Sequence, residues 1–471
     1  MNKRLLLIGY CLLITSVCYA QRRTFDQACE IAAAKLSVSA TSLQATPVNT
    51  NSSSSKSYAA DAAAEQPYYI LQPQQGEGFV IVSGDERMTP VLAYSRQGTF
   101  SPDSLPDNLR AWLQLYATEY EQTVESQESR VKSQGFVGST EGVEPFLHTT
   151  WGQYDPYNRL CPEYKAGSRS ATGCGATAMA QCMYYYRYPD CAHGSNSYTT
   201  KTKRFNLSWD FDAHPIQWNL MKEDYHASGT SEEEGRAIAE LFFGCGVSVN
   251  MDYDEESGSQ HGTLMSSLNQ YYGYDDDMAI LKRERMSDET WHSVLIGELE
   301  ARRPLLTAAW TRTGAGHMFV IHGYQHSDDG TPAYYINWGW RGRYDGYYVM
   351  PHLCYDGVEH NTLSEDISVI IGLQPDDGLH NRDNTIQIKE ITSNRHSLDL
   401  GNGGWLDLRL SNLYSASLKP FNGEVRVYLV DGNGIKTRIA SANVNLRQGL
   451  ETSINLNSTT VPETVESGTY A

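Results

Sequence analysis

The chain has 471 residues, of which 40% are apolar and 20% are charged. This length predicts about three folded domains, and the apolar content excludes an intrinsically disordered chain. The formal net charge of −19 would repel phosphate groups, so nucleic acid is excluded as an expected partner.

The start of the chain is typical of a secretory signal peptide. Basic residues at positions 3 and 4 precede an apolar run from Leu5 to Val17, and Ala20 is a small residue at the position expected for cleavage. No later segment is apolar enough and long enough to span a bilayer. We therefore expect a signal peptide over residues 1–20. The exported protein is expected to pass through the periplasm and to be extracellular or at the cell surface, without a membrane span.

The region over residues 21–142 has the pattern of a small α+β domain. Thr24 and Gln27 form a capping-box pair, which predicts a helix from Thr24 to Ser37. Apolar residues at helical spacing predict a second helix that begins near Asp107. Runs of β-branched and aromatic residues between the helices predict strands over 68–71, 79–82 and 91–94.

Two polar stretches interrupt this first region. The segment over 39–66 is rich in Ser, Ala, Thr and Asn, which is typical of a flexible insertion or linker. The second helix is followed by the polar, Gly-containing stretch 133–142. Such exposed stretches are preferred cleavage zones, so we place a domain boundary here.

The remaining chain divides into two further regions. Residues 143–376 are dense in Gly, Tyr and Trp and alternate helical with strand patterns, whereas residues 384–471 show the period-2 alternation of an all-β domain. We expect the latter to be an Ig-like β-sandwich. Because residues 467–471 resemble the start of another strand, we expect either that the sequence stops within that domain or that the domain is atypical.

Seven cysteines remain after the two in the predicted signal peptide are removed, and an odd number leaves at least one free thiol. There is no CxxC pair and no Cys/His spacing typical of zinc, so we expect no metal and no cofactor. The remaining question is which thiol is reactive. The seven are Cys29, Cys161, Cys174, Cys182, Cys191, Cys245 and Cys354.

Cys174 has the setting of a reactive thiol. Gly173 and Gly175 flank it, and the helix-favouring run from Ala176 to Gln181 follows. This places the thiol at a helix N-terminus, where the positive end of the dipole is expected to lower its pKa. The alternative is a buried, inert cysteine, which fits Cys182 better because that residue lies two turns inside the same helix.

A thiolate needs a base, and His317 is the best candidate among 13 histidines. It follows a Gly-rich loop and precedes the apolar strand pattern of residues 318–321, so it can face a cleft. Asn337 and Trp338 lie on the next predicted strand, where an amide can fix the imidazole tautomer and an indole can shield that bond. The alternatives are a solvent-capped histidine and core tryptophans.

Gln153 completes the set of candidate catalytic residues. A Gln side chain can donate to a developing oxyanion together with the Cys174 backbone N–H. The order Gln153, Cys174, His317, Asn337 places an oxyanion donor, nucleophile, base and orienting group in the order found in papain-like enzymes.

At these residues the chain resembles the streptopain family of papain-like cysteine peptidases, and in particular its interpain-like members. The resemblance rests on several motifs in one order over more than 200 residues. These motifs are Trp151-Gly152-Gln153, the Cys174 motif through Gln181, Gly246 to Tyr253, Gly316 to Ile321, and Asn337-Trp338-Gly339-Trp340. The N-terminal region also resembles the family prosegment at residues 78–85 and 90–95.

The resemblance implies an α+β fold with a papain-like catalytic domain over 143–376, preceded by an inhibitory propeptide over 21–142. It implies a latent cysteine endopeptidase whose partners are protein and peptide substrates and its own propeptide. Activation would follow self-cleavage in the polar stretch before about Phe146. The family cleft prefers an apolar residue two positions before the cut, and Ser257, Ser259 and Gly316 would border it.

Two positions depart from the family pattern. Gly175 stands where a larger apolar residue is usual, which is expected to loosen the start of the helix. His322 stands where the family often has Asp, which is expected to change the local charge.

Two other classes of function use the same residues. A thiol amidase or transglutaminase-like acyl transferase would need the same Cys–His pair. A non-catalytic adhesin or inhibitor would retain a vestigial peptidase domain, although the intact catalytic set argues against that interpretation.

Overall fold

The structure is a computed structural model. It describes residues 22–46, 66–102, 105–125, 142–226, 229–310, 316–351, 366–379, 385–394, 405–430 and 434–460. The predicted signal peptide, most of the Ser-rich stretch, nearly all of the stretch 133–142, Cys354 and the last eleven residues lie outside this part of the chain.

In the described part of the chain the α-helices are α1 Phe25–Leu36, α2 Asp107–Glu125, α3 Cys174–Tyr186, α4 Glu232–Ser248, α5 His261–Tyr272 and α6 Asp288–Glu300. The N-terminal strands are β1 Leu43–Ala45, β2 Tyr68–Pro73, β3 Phe79–Ser83 and β4 Val91–Ser95. The central strands are β5 Glu163–Lys165, β6 Ser168–Arg169, β7 Ser195–Thr199, β8 Asn206–Asp210, β9 Ala279–Lys282, β10 Leu305–Trp310, β11 Gly316–His326, β12 Pro332–Asn337, β13 Gly346–Val349 and β14 Asp366–Ile371. The C-terminal strands are β15 Ile386–Gln387, β16 Glu390–Ser393, β17 Trp405–Ser415, β18 Phe421–Val430, β19 Lys436–Leu446 and β20 Thr452–Thr460.

The elements predicted for the N-terminal region are confirmed. Thr24 and Gln27 form the reciprocal capping box of α1, which satisfies two backbone N–H groups at the helix start. In α2 the apolar face predicted from the spacing is buried, with Trp112 and Tyr116 fully inaccessible. The three predicted strands correspond to β2, β3 and β4.

One ten-stranded sheet joins the N-terminal region to the central region. Its strand order is β1-β2-β3-β4-β13-β12-β11-β10-β14-β9, and the neighbours are antiparallel. The junction is the pairing of β4 with β13, where Tyr94 lies opposite Tyr347 and Ala93 lies opposite Tyr348. The first four strands therefore extend the sheet that carries His317.

The two faces of this sheet pack against different helices. Along β11, Phe319 and Ile321 belong to the apolar cluster that includes residues of α2 and α6. Met318 and Val320 point to the opposite face and pack with residues of α3, α4 and α5. This alternation follows from the period of two along a strand. Residues next to each other in β11 thus lie on opposite sides of the sheet.

The C-terminal region is all-β, as the alternation predicted. β17 pairs with β16, β15 and β20, and β18 pairs with β19 in a long hairpin. The two sheets enclose a small apolar cluster built on Leu408, Leu410, Val427 and Leu446. This is a sandwich arrangement. The hairpin turn at residues 431–433 lies outside the described residues.

Candidate active site

The nucleophile candidate lies at the first position of α3. Gly173 is the N-cap residue with φ of 88°, a backbone conformation that favours glycine. A Cβ at that position would lie 2.6 Å from the Met251 sulfur, so the glycine also permits close packing. The Gly–Cys pair therefore turns the chain sharply into the helix and leaves Cys174 partly exposed.

The thiol of Cys174 is surrounded by backbone donors. Its sulfur accepts hydrogen bonds from the N–H groups of Met318 and Gly175 and from its own N–H. Burial nevertheless raises the pKa of the Cys174 thiol above its usual value, and the three N–H groups only partly oppose this. The expectation that the helix N-terminus would lower this pKa does not hold in this state, because desolvation outweighs the helix dipole.

His317 lies near the start of β11 and is 3% exposed. Its Nε2 lies 2.8 Å from the main-chain oxygen of Trp338, and its ring stacks on Trp340 with centroids 4.6 Å apart. Burial lowers the pKa of His317 to about 4, although the Trp338 carbonyl favours the cation. The ring is therefore neutral at physiological pH.

The chain brings the two candidates to the same end of the sheet. The Cys174 sulfur bonds to the backbone of Met318, the residue that follows His317. The His317 ring contacts Phe319 and Trp338, which belong to the apolar cluster on the side of the sheet that packs against α2. Among the contacts of the described residues, no hydrogen bond joins the sulfur to the imidazole.

Asn337 occupies a different position from the one predicted. Its Nδ2 donates to the carbonyl of Thr149 at 2.7 Å and to Oε1 of Gln181 at 3.0 Å, and its Oδ1 accepts from the N–H of Gly339. The group that contacts the imidazole is the main chain of Trp338. The sequence motif correctly located the turn that contacts the imidazole, at Asn337 and Trp338. It could not show which group makes the contact, because every residue has a main-chain carbonyl oxygen.

Gln153 lies next to the segment that leads into α3. Its main-chain oxygen accepts the N–H of Thr172 at 3.0 Å, two residues before the nucleophile. The preceding Trp151 is fully buried, and its indole donates to the carbonyl of Lys222. This places Gln153 beside the Cys174 turn, half-buried.

Two of the three predicted substrate-binding residues contact the same turn, and Gly316 lies beside His317 at the start of β11. Ser257 donates to the carbonyl of Ala171 at 2.7 Å, which ties its loop to the segment before Cys174. Ser259 has a buried hydroxyl without a hydrogen-bond partner, 2.7 Å from where a Cβ at Gly175 would lie. Gly316 pairs with Trp310, whose indole covers the position of a Cβ.

Comparison with known proteins identifies the family. Residues 151–348 match the Peptidase C10 family, and residues 20–120 match the Spi protease inhibitor family. Streptopain of Streptococcus pyogenes serotype M28 is 31% identical over 334 residues, which are 65% of this chain and 80% of that protein. The chain belongs to the streptopain family of cysteine peptidases.

Two further relatives agree with this membership. A fragment of Prevotella intermedia prointerpain A has a similar structure, with a TM-score of 0.56 and 26% identity, covering 70% of this chain and 98% of the fragment. A thiol protease/hemagglutinin of Porphyromonas gingivalis is 27% identical over 336 residues, which are 68% of this chain and 38% of that protein. The protein is thus a cysteine peptidase in latent form, with an N-terminal inhibitory propeptide.

The propeptide contacts the peptidase through a sheet and a helix. Besides the β4–β13 pairing, Tyr116 of α2 donates to the carbonyls of Leu92 and Val349 at 2.9 and 2.7 Å. The indole of Trp112 packs edge-on against Trp338. The propeptide therefore contacts the residue whose carbonyl holds His317.

The two departures of this peptidase from its family are accommodated by local packing. A Cβ at Gly175 would meet Ser259 Oγ at 2.7 Å, Met318 Sδ at 3.0 Å and Leu264 at 3.3 Å, so its space is already filled. The helix start is packed tightly rather than loosened. His322 adds no charge, because burial lowers its pKa to about 3 and its neutral Nδ1 faces the backbone N–H groups of Phe146 and Leu147.

No helix in the described part of this peptidase is long and apolar enough to cross a membrane.

Proposed function

We propose that this zymogen is exported and matures to an endopeptidase in which Cys174 is the nucleophile and His317 the general base. The observation that carries the proposal is the hydrogen bond from the Met318 N–H to the Cys174 sulfur, since it brings the thiol to the residue that follows the imidazole. A partly exposed cysteine at a helix N-terminus and a histidine at a strand end are the groups that thiol acyl transfer requires.

The reaction proceeds in two stages. The neutral imidazole takes the thiol proton, and the thiolate sulfur attacks the substrate carbonyl carbon to form a tetrahedral oxyanion. Collapse breaks the C–N bond, and the imidazolium gives its proton to the leaving amine. His317 then takes a proton from water, whose oxygen attacks the thioester carbonyl. Collapse of this second oxyanion breaks the C–S bond and releases the acid, and the imidazolium returns its proton to the sulfur.

The oxyanion is stabilised by the side chain of Gln153 and the backbone N–H of Cys174. Supporting this role, the main chain of Gln153 bonds to Thr172 and so lies beside the Cys174 turn. Donors preorganised at this point interact with the charge that develops only in the transition state.

The substrate lies along the loops that carry Ser257, Ser259 and Gly316, and an apolar side chain two positions before the cut lies in a pocket between them. On the side of β11 that faces away from β10, where pairing with β12 begins only at Val320, the backbone of Gly316 offers main-chain hydrogen bonds to an extended peptide.

We assign the chain as a signal peptide over 1–20, an inhibitory propeptide over 21–142, the catalytic domain over 143–376 and the β-sandwich over 384–471. The signal peptide carries the proposal of export, because a positive start and an apolar run address a chain to the secretory route. Self-cleavage before about Phe146 would separate the propeptide from the peptidase.

Maturation must change the geometry at the site. In the zymogen the thiol is protonated and the imidazole is neutral, because burial disfavours both charged forms. Removing the propeptide exposes the face of the sheet that α2 covers. The His317 ring, which keeps its Nε2 hydrogen bond to the Trp338 carbonyl, is then free to turn Nδ1 toward the sulfur and form the ion pair.

The experiment compares two proteins that begin at Gln21, the native chain and Cys174→Ala. The native chain is expected to lose its N-terminal region, to digest casein and to react with a thiol-directed epoxide. The Cys174→Ala chain is expected to remain at full length, and its self-shortening would disprove the assignment. Ser267→Ala, which removes a buried hydroxyl away from the site, is the matched control and is expected to mature normally.

A further inference from the structure

The imidazole of His317 is held in one tautomer by the main chain of Trp338. A carbonyl oxygen can only accept a hydrogen bond, so Nε2 of the neutral ring carries the proton and donates it at 2.8 Å. Nδ1 is then the nitrogen with the free lone pair. This is the tautomer that a general base needs, since the lone pair has to take the thiol proton.

The direction of the Trp338 carbonyl depends on the turn that follows β12. Gly339 adopts φ of 73°, which L side chains rarely adopt, and its N–H donates to the Asn337 side-chain oxygen at 3.0 Å. This hydrogen bond spans Trp338 and closes the turn around its carbonyl. Asn337 therefore controls where the acceptor of His317 points, without contacting the imidazole.

Gln181 in turn fixes Asn337. The Gln181 Oε1 accepts from Asn337 Nδ2 at 3.0 Å and from Thr149 Oγ1 at 2.7 Å, and its Nε2 donates to Asn337 Oδ1 at 3.2 Å. Gln181 is fully buried and lies on α3, seven residues (181 − 174) after the nucleophile. Two helical turns of α3, about 10 Å, thus link Cys174 to the turn that orients the base.

Asp345 holds the backbone N–H of Trp338, the residue whose carbonyl accepts from His317. Its Oδ1 accepts the Trp338 N–H at 2.8 Å, and the residue is 8% exposed. Burial raises the pKa of the Asp345 carboxyl to about 8, although the Trp338 N–H favours the charged form. A buried carboxyl is costly, and its hydrogen bond reaches the backbone of the residue that orients His317.

We propose that Gln181 and Asp345 are positioning residues for His317, acting through Asn337 and the Trp338 carbonyl, a proposal that rests on the general-base role proposed above. Both side chains are buried, and their hydrogen bonds converge on one turn. An apolar residue would fill either position at a lower desolvation cost. The presence of polar side chains at both positions is explained by their role in directing the Trp338 carbonyl.

Four variants test the proposal in the mature enzyme. Gln181→Leu removes the amide, whereas Gln181→Glu keeps its shape and replaces the NH2 donor to Asn337 by a carboxyl oxygen. Asp345→Ala removes the acceptor, whereas Asp345→Asn keeps an oxygen that can accept the Trp338 N–H. Each full-length zymogen is cut by native enzyme immobilised on beads, so slow self-cleavage does not limit the assay. Ser267→Ala serves as the control for loss of a buried hydrogen bond.

Two readouts separate positioning from stability. The first is kcat and KM on a peptide substrate. The second is the rate at which iodoacetamide alkylates Cys174 as a function of pH, which reports the thiolate–imidazolium pair. We expect Gln181→Leu, Gln181→Glu and Asp345→Ala to lower kcat about ten- to hundredfold with little change in KM, and to shift the pH profile of alkylation. Asp345→Asn is expected to restore most of the activity.

The outcomes are distinct. Native pH profiles in all four variants, or activity losses that only follow the unfolded fraction in a thermal melt, would overturn the positioning roles. Should Gln181→Leu fail to fold, Gln181→Glu decides the question because its shape is unchanged.

Cys174→Ala is measured in the same series. If it remains active, the proposed function itself is wrong. If it is inactive while the positioning variants match the native enzyme, only the present inference fails.

Discussion

The indole rings of Trp112 and Trp338 meet edge-to-face, with centroids 5.8 Å apart and planes at 84°. Trp112 lies on propeptide helix α2, and Trp338 provides the carbonyl that accepts from His317. The same propeptide ring lies 6.2 Å from that of Phe319, which also contacts the imidazole. One propeptide side chain is therefore packed against two residues that contact His317.

Trp112→Ala is expected to weaken the docking of the propeptide and to accelerate maturation. Truncation of a fully buried tryptophan costs about 3 to 5 kcal/mol, and the loss falls on the propeptide-bound form. The stability change is measured by denaturant unfolding in the Cys174→Ala background, and the maturation rate by the time course of self-shortening with Cys174 intact. Trp405→Ala, at a position that is 41% exposed, is the control. Lower stability with an unchanged time course would show that this contact does not delay activation.

The reactivity of Cys174 in the zymogen is expected to rise only at alkaline pH. Burial raises the pKa of the thiol, and it lowers the pKa of His317 to about 4. From roughly pH 5 to 8 the thiol is therefore protonated and the imidazole neutral, so the thiolate population is small. In the mature enzyme the ion pair makes alkylation fast over the same range.

This difference is measured by mass spectrometry of the Cys174 peptide from the uncut and the mature protein after short exposure to iodoacetamide. Cys191, also partly exposed, reports reagent access in both forms. Equal alkylation rates of Cys174 at neutral pH would contradict the expectation.

Local patterns predicted the elements well, and long-range pairing poorly. The Thr24 capping box and the apolar strand pattern of residues 318–321 were readable because both depend on residues close in the chain. The joining of β4 to β13 was not, since it pairs residues about 250 positions apart and no local pattern encodes it. The prediction that Asn337 contacts the imidazole missed the competition from Gln181, a buried amide on another element that satisfies both ends of the Asn side chain.

The stability of the zymogen is expected to fall at acid pH through Asp85 in the propeptide. Burial alone would raise the pKa of this carboxyl, but hydrogen bonds from Arg87 and the charges of Arg87 and Arg23 outweigh it and hold the pKa below 3.8. A carboxyl whose pKa is lower in the folded state than in the unfolded state stabilises the protein at pH values above its ordinary pKa. The contribution of Asp85 to the free energy of unfolding is lost as the pH falls below 3.8 and then through the pKa of the folded state.

Asp85→Asn is expected to remove this dependence and to cost about 3 kcal/mol at neutral pH, because it removes the buried carboxylate that accepts two side-chain hydrogen bonds from Arg87. The measurement is thermal unfolding of the Cys174→Ala zymogen from roughly pH 3 to 7, with and without the second substitution. Asp107→Asn, at a side chain that is 87% exposed, is the control. Parallel curves for the two zymogens would contradict the assignment of the acid sensitivity to Asp85.

Gly175 and Met318 are expected to behave as a coupled pair. A Cβ at Gly175 would lie 2.7 Å from Ser259 Oγ and 3.0 Å from Met318 Sδ, which is closer than ordinary packing allows, so Gly175→Val should destabilise the protein by about 1 to 3 kcal/mol. Because Met318 also donates its N–H to the Cys174 sulfur, kcat/KM should fall as well. Adding Met318→Ala removes the clashing sulfur and is expected to recover part of both losses. The double-mutant cycle in thermal stability and kcat/KM measures this coupling, and Gly297→Ala, where a Cβ has open space, is the control. Strictly additive effects would mean that the space beside the nucleophile is not set by Met318.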